Sequence, residues 1–172
     1  MDGYKAPALP VLPEAEQIGH AEAFFAAIGA DIRHGGNRAC YVPSLDQIRM
    51  LPFEAFRDPV AYYATLAHEA THLTGHPSRC ARDLRGRFGD EAYAAEELIA
   101  ELGAAFVCTD LALTPEPRPD HAAYAASWLK VLRGDKRAIF TAAAKAQAAA
   151  DWMHAKQSAA DRPAAAERAH AA

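Results

Sequence analysis

Residues 62–72 have the sequence YYATLAHEATH, in which His68, Glu69 and His72 form the pattern HExxH. On a helix the two histidines lie about 40° apart around the axis and one turn apart along it, so both imidazoles can reach one ion. Glu69 follows the first histidine directly and can face a water molecule bound to that ion. The stretch therefore predicts a rigid, buried helix that presents two neutral imidazoles and one carboxylate to a zinc ion.

The helix that carries this pattern has a predicted beginning and end. Asp58 supplies an acid at the cap position, and Pro59 suits the first turn because its missing N–H would have no partner there. Gly75 is placed to end the helix, which gives a predicted range of about 59–74. The two histidines therefore fall in the last two turns of one helix.

A catalytic zinc ion takes a third protein ligand and keeps one position open. A second helix is predicted from about 90 to 110, and it contains EELIAELGAAF at residues 96–106. Glu97 and Glu101 share one face of this helix, and the small side chains at 103–105 indicate that the face approaches a neighbouring helix. One of the two acids can bind the metal while the other hydrogen-bonds a ligand histidine.

The alternative for this second helix is a solvated acidic face. Glu91 and Glu96 are the acids that we expect in solvent. A buried carboxylate needs a partner, and the metal would be one for Glu97. Two histidines on one helix and a glutamate on the next is the gluzincin arrangement. Tyr93 is a candidate donor of a hydrogen bond to the oxyanion of the reaction, with core packing as the alternative.

The segment between the two helices, residues 76–90, is rich in arginine, glycine and aspartate and predicts a loop. His76 has the wrong offset for the third histidine of HExxHxxGxxH, and we expect it to cap the helix end or pack in the loop rather than line the cleft. The arginines either form a basic lip for an acidic substrate or, as we expect, a solvated loop paired with nearby aspartates. They are Arg79, Arg82, Arg85 and Arg87, with Asp83 and Asp90 as partners.

Outside the two motif helices, the sequence predicts a small sheet followed by a helical body. A first helix at 14–29 precedes a hairpin at 32–42 with a glycine turn, and a third short strand follows at 46–50. Two more helices are predicted at about 120–133 and 135–155. The predicted fold class is α+β, with a small antiparallel or mixed sheet, a mostly helical body, and a cleft between the sheet edge and the motif helix.

Composition and charge limit the partners. The chain has 172 residues, a net charge of −4 and a pI of about 6.0, which argues against a strong electrostatic grip on nucleic acid or anionic lipid. We expect no signal peptide and no membrane span. Three cysteines without a CxxC pair favour reduced thiols in a cytoplasmic protein. We expect a Pro-rich linker or lead-in at 1–13, one domain at 14–156, and an Ala-rich tail at 157–172.

The chain resembles a known family. The resemblance rests on YYATLAHEATHLTGHPSR at 62–79, GRFGDEAYAAEELIAELGAAF at 86–106 and ACYVP at 39–43. These segments are similar to the C-terminal metallopeptidase domain of ArdC-type antirestriction proteins, which belong to the polyvalent zincin-like proteins of plasmids and phages. A looser resemblance to repressor-cleaving and radiation-response metallopeptidases implies that Glu97 is the third ligand and that Glu101 supports a ligand histidine.

The resemblance implies a zincin-like fold and a zinc metallopeptidase that hydrolyses a protein or peptide substrate. Its metal ligands are His68, His72 and Glu97, and its general base is Glu69. ArdC-type proteins also have an N-terminal domain that binds single-stranded DNA, and we expect no DNA binding from the 172 residues themselves. Two alternatives stay open: a catalytically silent, zinc-stabilised interaction module in DNA transfer or antirestriction, and a metal-free helical domain.

Overall fold

A computed structural model describes residues 14–86, 90–113 and 137–157. The helices are α1 (Glu14–Ile28), α2 (Pro59–Thr74), α3 (Glu91–Asp110) and α4 (Ala138–His154), and the strands are β1 (Asp31–His34), β2 (Cys40–Val42) and β3 (Gln47–Met50). The predicted α+β fold class with a small mixed sheet is confirmed. The helix predicted at 120–133 lies outside the described residues, and the domain boundaries stay predictions.

Helix α2 begins and ends where its sequence predicts. The side chain of Asp58 accepts a hydrogen bond from the N–H of Ala61 at 2.7 Å, and Pro59 occupies the first turn. At the other end, the N–H of Gly75 donates to the carbonyl of His72 at 2.8 Å. The helix is buried on most of its circumference because α1, α3, α4 and the sheet all pack against it.

The sheet has the order β1-β3-β2, so the predicted hairpin between the first two strands is wrong. Strand β1 pairs with β3 in parallel, with Ile32 opposite Ile48, and β2 pairs with β3 in antiparallel, with Tyr41 also opposite Ile48. The physical reason is burial. Ile48 and Met50 are fully buried, and a strand with two such residues is best accommodated at the centre of the sheet, where both of its edges are paired.

Two glycines allow the chain to leave β1 without forming the hairpin. Gly35 and Gly36 have φ angles of +140° and +76°, which glycine adopts without steric cost. The N–H of Gly35 donates to the carbonyl of Met50 at 2.8 Å, so the parallel pairing continues past the end of β1. The chain then crosses to the opposite edge of β3 and enters β2.

The hydrophobic core lies between α1, the sheet and α2 and extends to α3 and α4. Its large buried side chains include Phe24, Phe25, Leu66 and Met153. A smaller cluster joins α3 to α4 and consists of Leu98, Ile99, Ala142 and Ala146. This packing fixes α3 beside α2. Among the described residues, no helix combines the length and the apolar character that crossing a bilayer requires.

Gly103 allows α3 to approach α2 closely. A Cβ atom at this position would lie 2.6 Å from Cγ2 and 2.7 Å from Oγ1 of Thr71. The small residues at 103–105 therefore mark a helix contact, as predicted, although Ala105 itself is exposed. The contact brings the acidic face of α3 against the histidines of α2.

Candidate metal centre

Three side chains from α2 and α3 converge where the two helices face each other. Nε2 of His68 and Nε2 of His72 lie 3.2 Å apart. Glu97 places Oε2 3.6 Å from Nε2 of His68 and Oε1 3.5 Å from Nε2 of His72. His68 and Glu97 are each 6% exposed. The structure therefore brings together the three residues that the sequence predicts as metal ligands.

The donor atoms of these residues fit a divalent metal. A tetrahedral ion with ligands at about 2.0–2.1 Å separates neighbouring donor atoms by about 3.3 Å. The two Nε2 atoms are 3.2 Å apart, Oε2 of Glu97 lies 3.6 Å from His68, and Oε1 of Glu97 lies 3.5 Å from His72. One ligand atom from each of the three residues lies within 4.8 Å of the others, so side-chain rotations can bring one donor from each residue to a single ion. Two imidazoles and one carboxylate are also a donor set of catalytic zinc sites.

The outer ring nitrogens of both histidines face carboxylates. Nδ1 of His72 donates to Oε1 of Glu96 at 3.2 Å. Nδ1 of His68 lies 3.2 Å from Oε1 of Glu101, although it makes no hydrogen bond of normal geometry. Ligand histidines in metalloproteins are commonly held in this way, with the outer nitrogen directed at a carboxylate and the inner nitrogen directed at the metal. Glu101 thus lies beside a histidine, where the family resemblance places it.

Glu96 is buried, and the expectation that it faces solvent is wrong. Its carboxylate accepts hydrogen bonds from His72 and from Arg82, which are 24 and 14 residues away in the sequence. Partners so distant leave no local pattern. The available signal is helical spacing, because Ala100 and Gly103 follow Glu96 on the same buried face. Glu91 is exposed, as predicted.

The site favours positive charge. Burial lowers the pKa of His72, but the hydrogen bonds to Glu96 and Glu97 outweigh burial and raise that pKa to about 10. Burial also lowers the pKa of His68, and Glu101 and Glu97 raise it above its ordinary value. In turn, burial raises the pKa of Glu97, but the two histidines hold it well below the usual range. Carboxylates that stabilise protonated imidazoles also stabilise a divalent cation, for the same electrostatic reason.

Glu69 lies beside the two histidines, and the sheet holds its carboxylate. Oε2 of Glu69 accepts a hydrogen bond of 2.8 Å from the backbone N–H of Tyr41 in β2. Tyr41 is fixed in turn, because its hydroxyl donates to Oδ1 of Asp46 at 2.8 Å. Burial together with Asp46 raises the pKa of Tyr41 to about 12, so this hydroxyl keeps its proton at neutral pH. Strand β2 therefore sets the orientation of Glu69.

A cavity of about 490 Å³ opens over these side chains. One wall is formed by residues 38–41 and Pro43, and the other by the start of α3 and the loop before it. The cleft thus lies between the sheet edge and the motif helix, as predicted, and the start of α3 closes its other side. Tyr93 lines this cavity, and its role as a hydrogen-bond donor to the reacting oxygen stays a prediction.

The loop after α2 turns two arginines inward, so the predicted solvated loop is wrong for these two residues. The side chain of Arg82 is 4% exposed and pairs with Glu96. The side chain of Arg79 pairs with Asp46 and donates to the carbonyl of Leu73 at 2.9 Å. The physical reason lies at the end of α2, where the last carbonyl groups have no partners within the helix and accept hydrogen bonds from these arginines.

Other residues of the loop behave as the sequence predicts. Arg85 pairs with Asp83 at 2.9 Å in solvent. His76 packs within the loop, since its Nδ1 accepts a hydrogen bond from the N–H of Ser78 at 3.2 Å. Arg87 lies outside the described residues.

Comparison with known proteins identifies a family for the chain and several relatives. A family described as zincin-like metallopeptidase (MPTase-PolyVal) matches residues 19–145. Protein y4eC of Sinorhizobium fredii (strain NBRC 101917 / NGR234) is 60% identical over 162 residues, which are 94% of this chain and 53% of that protein. A DNA primase TraC of Escherichia coli is 45% identical over 150 residues, which are 84% of this chain and 14% of the primase.

Two solved structures of the antirestriction ArdC protein from the R388 plasmid are similar at 47% identity. The Mn(II)-bound structure has a TM-score of 0.66 and matches 80% of this chain and 52% of that one. The metal-free structure has a TM-score of 0.71 and matches 91% of this chain and 55% of that one. The chain therefore spans about half the length of y4eC and ArdC. The resemblance to ArdC-type proteins that the motifs indicate is confirmed.

Proposed function

We propose that this chain, which belongs to the zincin-like metallopeptidase family, is a zinc-dependent hydrolase of peptide bonds. His68, His72 and Glu97 hold the metal, and Glu69 is the general base. The observation that carries the proposal is the convergence of two Nε2 atoms and one carboxylate within 3.2 to 3.6 Å of one another. The substrate is a protein or peptide. A cytoplasmic location is part of the proposal and is supported by three cysteines that form no disulfide.

The residues that line the cavity have separate roles in hydrolysis. A bound zinc ion supplies Lewis acidity to the carbonyl and lowers the pKa of the attacking water. Glu69 takes a proton from that water as the water oxygen bonds to the carbonyl carbon, and it then gives the proton to the amide nitrogen as the C–N bond breaks, which releases an amine and a carboxylate. The N–H of Tyr41 keeps Glu69 directed into the cavity throughout. Tyr93, on the opposite wall, is the proposed donor to the carbonyl oxygen.

The identity of the metal is a separate part of the proposal. The donor set of two imidazoles and one carboxylate supports zinc. The similar ArdC structure is described as Mn(II)-bound, so Mn²⁺ is the competing ion to test. Equilibrium dialysis against Zn²⁺ and Mn²⁺ together, followed by elemental analysis, measures which ion the chain retains. We expect zinc to be retained in preference.

Glu69→Gln tests the catalytic part of the proposal. The substitution keeps the shape of the side chain but removes the proton acceptor, so metal should remain while hydrolysis falls by about 10²–10⁴-fold. Hydrolysis is measured on a library of fluorescence-quenched peptides, and metal content is measured on the same samples. Glu91→Gln is the matched control, because Glu91 is an exposed glutamate at the start of α3. Equal cleavage by the Glu69 variant and the native chain would contradict the proposal.

A second candidate function is a catalytically silent, zinc-stabilised interaction module in DNA transfer or antirestriction. The similarity to an antirestriction protein and to a DNA primase supports this alternative. The same variant separates the two functions. If Glu69→Gln retains its metal and protects transferred DNA from restriction as well as the native sequence does, in the setting of a full-length protein, the module is the better description.

A further inference from the structure

Arg82 lies in the loop after α2 and is almost entirely buried. Its side chain is 4% exposed, and each of its three nitrogen atoms donates a hydrogen bond. Nε donates to Oε2 of Glu96 at 3.0 Å, and Nη2 donates to Oε1 of the same carboxylate at 2.9 Å. This forked arrangement fixes both the position and the plane of the Glu96 carboxylate.

The remaining donors of Arg82 reach the last turn of α2, which also carries His72. Nη2 donates to the carbonyl of Thr71 at 2.6 Å, and Nη1 donates to Oγ1 of Thr74 at 2.8 Å. A cation is favoured at the carboxyl end of a helix because the exposed carbonyl groups carry partial negative charge. Arg82 therefore holds Glu96 and the backbone next to His72 in one fixed relation.

Backbone hydrogen bonds of the loop hold Arg82 at the carboxyl end of α2. The N–H of Arg82 donates to the carbonyl of Gly75 at 3.0 Å, and the N–H of Cys80 donates to the carbonyl of Thr74 at 2.8 Å. Gly75 has no room for a side chain, since a Cβ atom there would lie 2.8 Å from Leu84 and 3.1 Å from Nη2 of Arg82. The loop thus folds back tightly over the end of the helix.

We propose that Arg82 is a positioning residue for the metal centre. It orients Glu96, Glu96 accepts the hydrogen of Nδ1 of His72, and Nε2 of His72, which faces Glu97 and His68, is thereby the nitrogen left for a metal. This inference rests on the proposed function, because it assumes that His72 binds a metal. The partners of ligand histidines typically change metal affinity by about 10–100-fold when they are replaced.

Arg79 provides a matched control from the same loop. It is also buried and paired, with Asp46 as its carboxylate partner and the carbonyl of Leu73 at the end of α2 as a second acceptor. Its guanidinium lies 5.7 Å from the centre of the Trp152 ring. In the contacts described, it touches neither the predicted metal ligands nor Glu96. Replacing either arginine removes an ion pair and a hydrogen bond to the end of α2, but only Arg82 pairs with a carboxylate that contacts a predicted ligand.

The test compares Arg82→Met with Arg79→Met. Zinc affinity is measured by competition with a chromophoric chelator, and the melting temperature of the metal-free chain is measured in parallel. We expect both variants to melt at a lower temperature, but only Arg82→Met to lose zinc affinity, by about 10–100-fold. Glu96→Gln, which preserves the volume of the side chain, should weaken zinc binding in the same range and remains informative if Arg82→Met does not fold.

The outcomes separate this inference from the proposed function. Failure of the native chain to bind zinc would overturn the proposed function. Native zinc binding with an unchanged affinity in Arg82→Met or in Glu96→Gln would overturn the positioning role alone. Partial recovery of affinity in Arg82→Lys would support it, since lysine retains the charge but cannot form the forked contact.

Discussion

His72 joins the chemistry of the centre to the packing around it. Its inner ring nitrogen lies 3.2 Å from the inner nitrogen of His68 and 3.5 Å from Glu97, and its outer nitrogen donates to Glu96. The inner nitrogen thus faces the other two predicted ligands, and the outer nitrogen has a carboxylate partner. These contacts favour one orientation of the ring, with the inner nitrogen directed at His68 and Glu97.

We expect His72→Ala to abolish stable zinc binding, because it removes one of three donors and leaves Glu97 facing His68 alone. Elemental analysis after gel filtration measures the zinc bound per chain. His76→Ala is the control just after the same helix, where the imidazole ring hydrogen-bonds to Ser78 in the loop. Zinc content equal to that of the native chain in His72→Ala would refute the ligand assignment.

Local residues of the site were predictable, and distant ones were not. His68, Glu69 and His72 follow from a spacing that a single helix imposes. Glu97 needed the family resemblance in addition, because helical spacing alone left it interchangeable with Glu101. Arg82 could not be predicted, since its role depends on a loop that returns to the end of α2, and loop paths leave no periodic signal.

At the scale of the element, the close contact between α2 and α3 fixes how far apart the two ligand-bearing helices lie. Gly103→Ala places a methyl group 2.6 Å from Thr71, so we expect a loss of stability of about 1–3 kcal/mol. Thermal unfolding monitored by circular dichroism measures the effect. The double variant with Thr71→Ala should recover part of the loss, because it removes the atoms that the new methyl group meets.

Gly19→Ala is the control for Gly103→Ala. Gly19 lies in α1, where a Cβ atom meets nothing within 4 Å. Alanine in a helix interior is favoured over glycine by about 0.5–1 kcal/mol, so this variant should be slightly more stable than the native chain. Destabilisation of similar size at both positions would show that the Thr71 contact is not the cause.

The strand order shows what sequence patterns miss at this scale. Glycines at 35 and 36 are typical of a hairpin turn, and the residues on both sides of them do form strands. Pairing, however, is decided by which strand buries its side chains on the core. Ile48 and Met50 bury their side chains in the core, and β3 therefore lies between β1 and β2.

At the scale of the whole molecule, a bound metal would join α2 to α3 and stabilise the folded state. A ligand present at 100 times its Kd adds about 2.7 kcal/mol, which corresponds to a rise of about 5–10 °C in melting temperature for a chain of this size. Melting curves with Zn²⁺ and with excess chelator measure this difference. His72→Ala should show no such difference, and a native chain that is insensitive to chelator would indicate a metal-free helical domain.

Thr71, the residue that touches Gly103, is the immediate neighbour of His72, and Glu97 lies less than two turns before Gly103 on the opposing helix. Because residue 103 has only a hydrogen atom as its side chain, α3 lies close to α2, and this separation sets the distance between Glu97 and the two histidines. Metal–ligand bonds tolerate deviations of only about 0.2 Å. To adapt the site to a larger ion, one would therefore substitute Gly103 first and keep the three ligands unchanged.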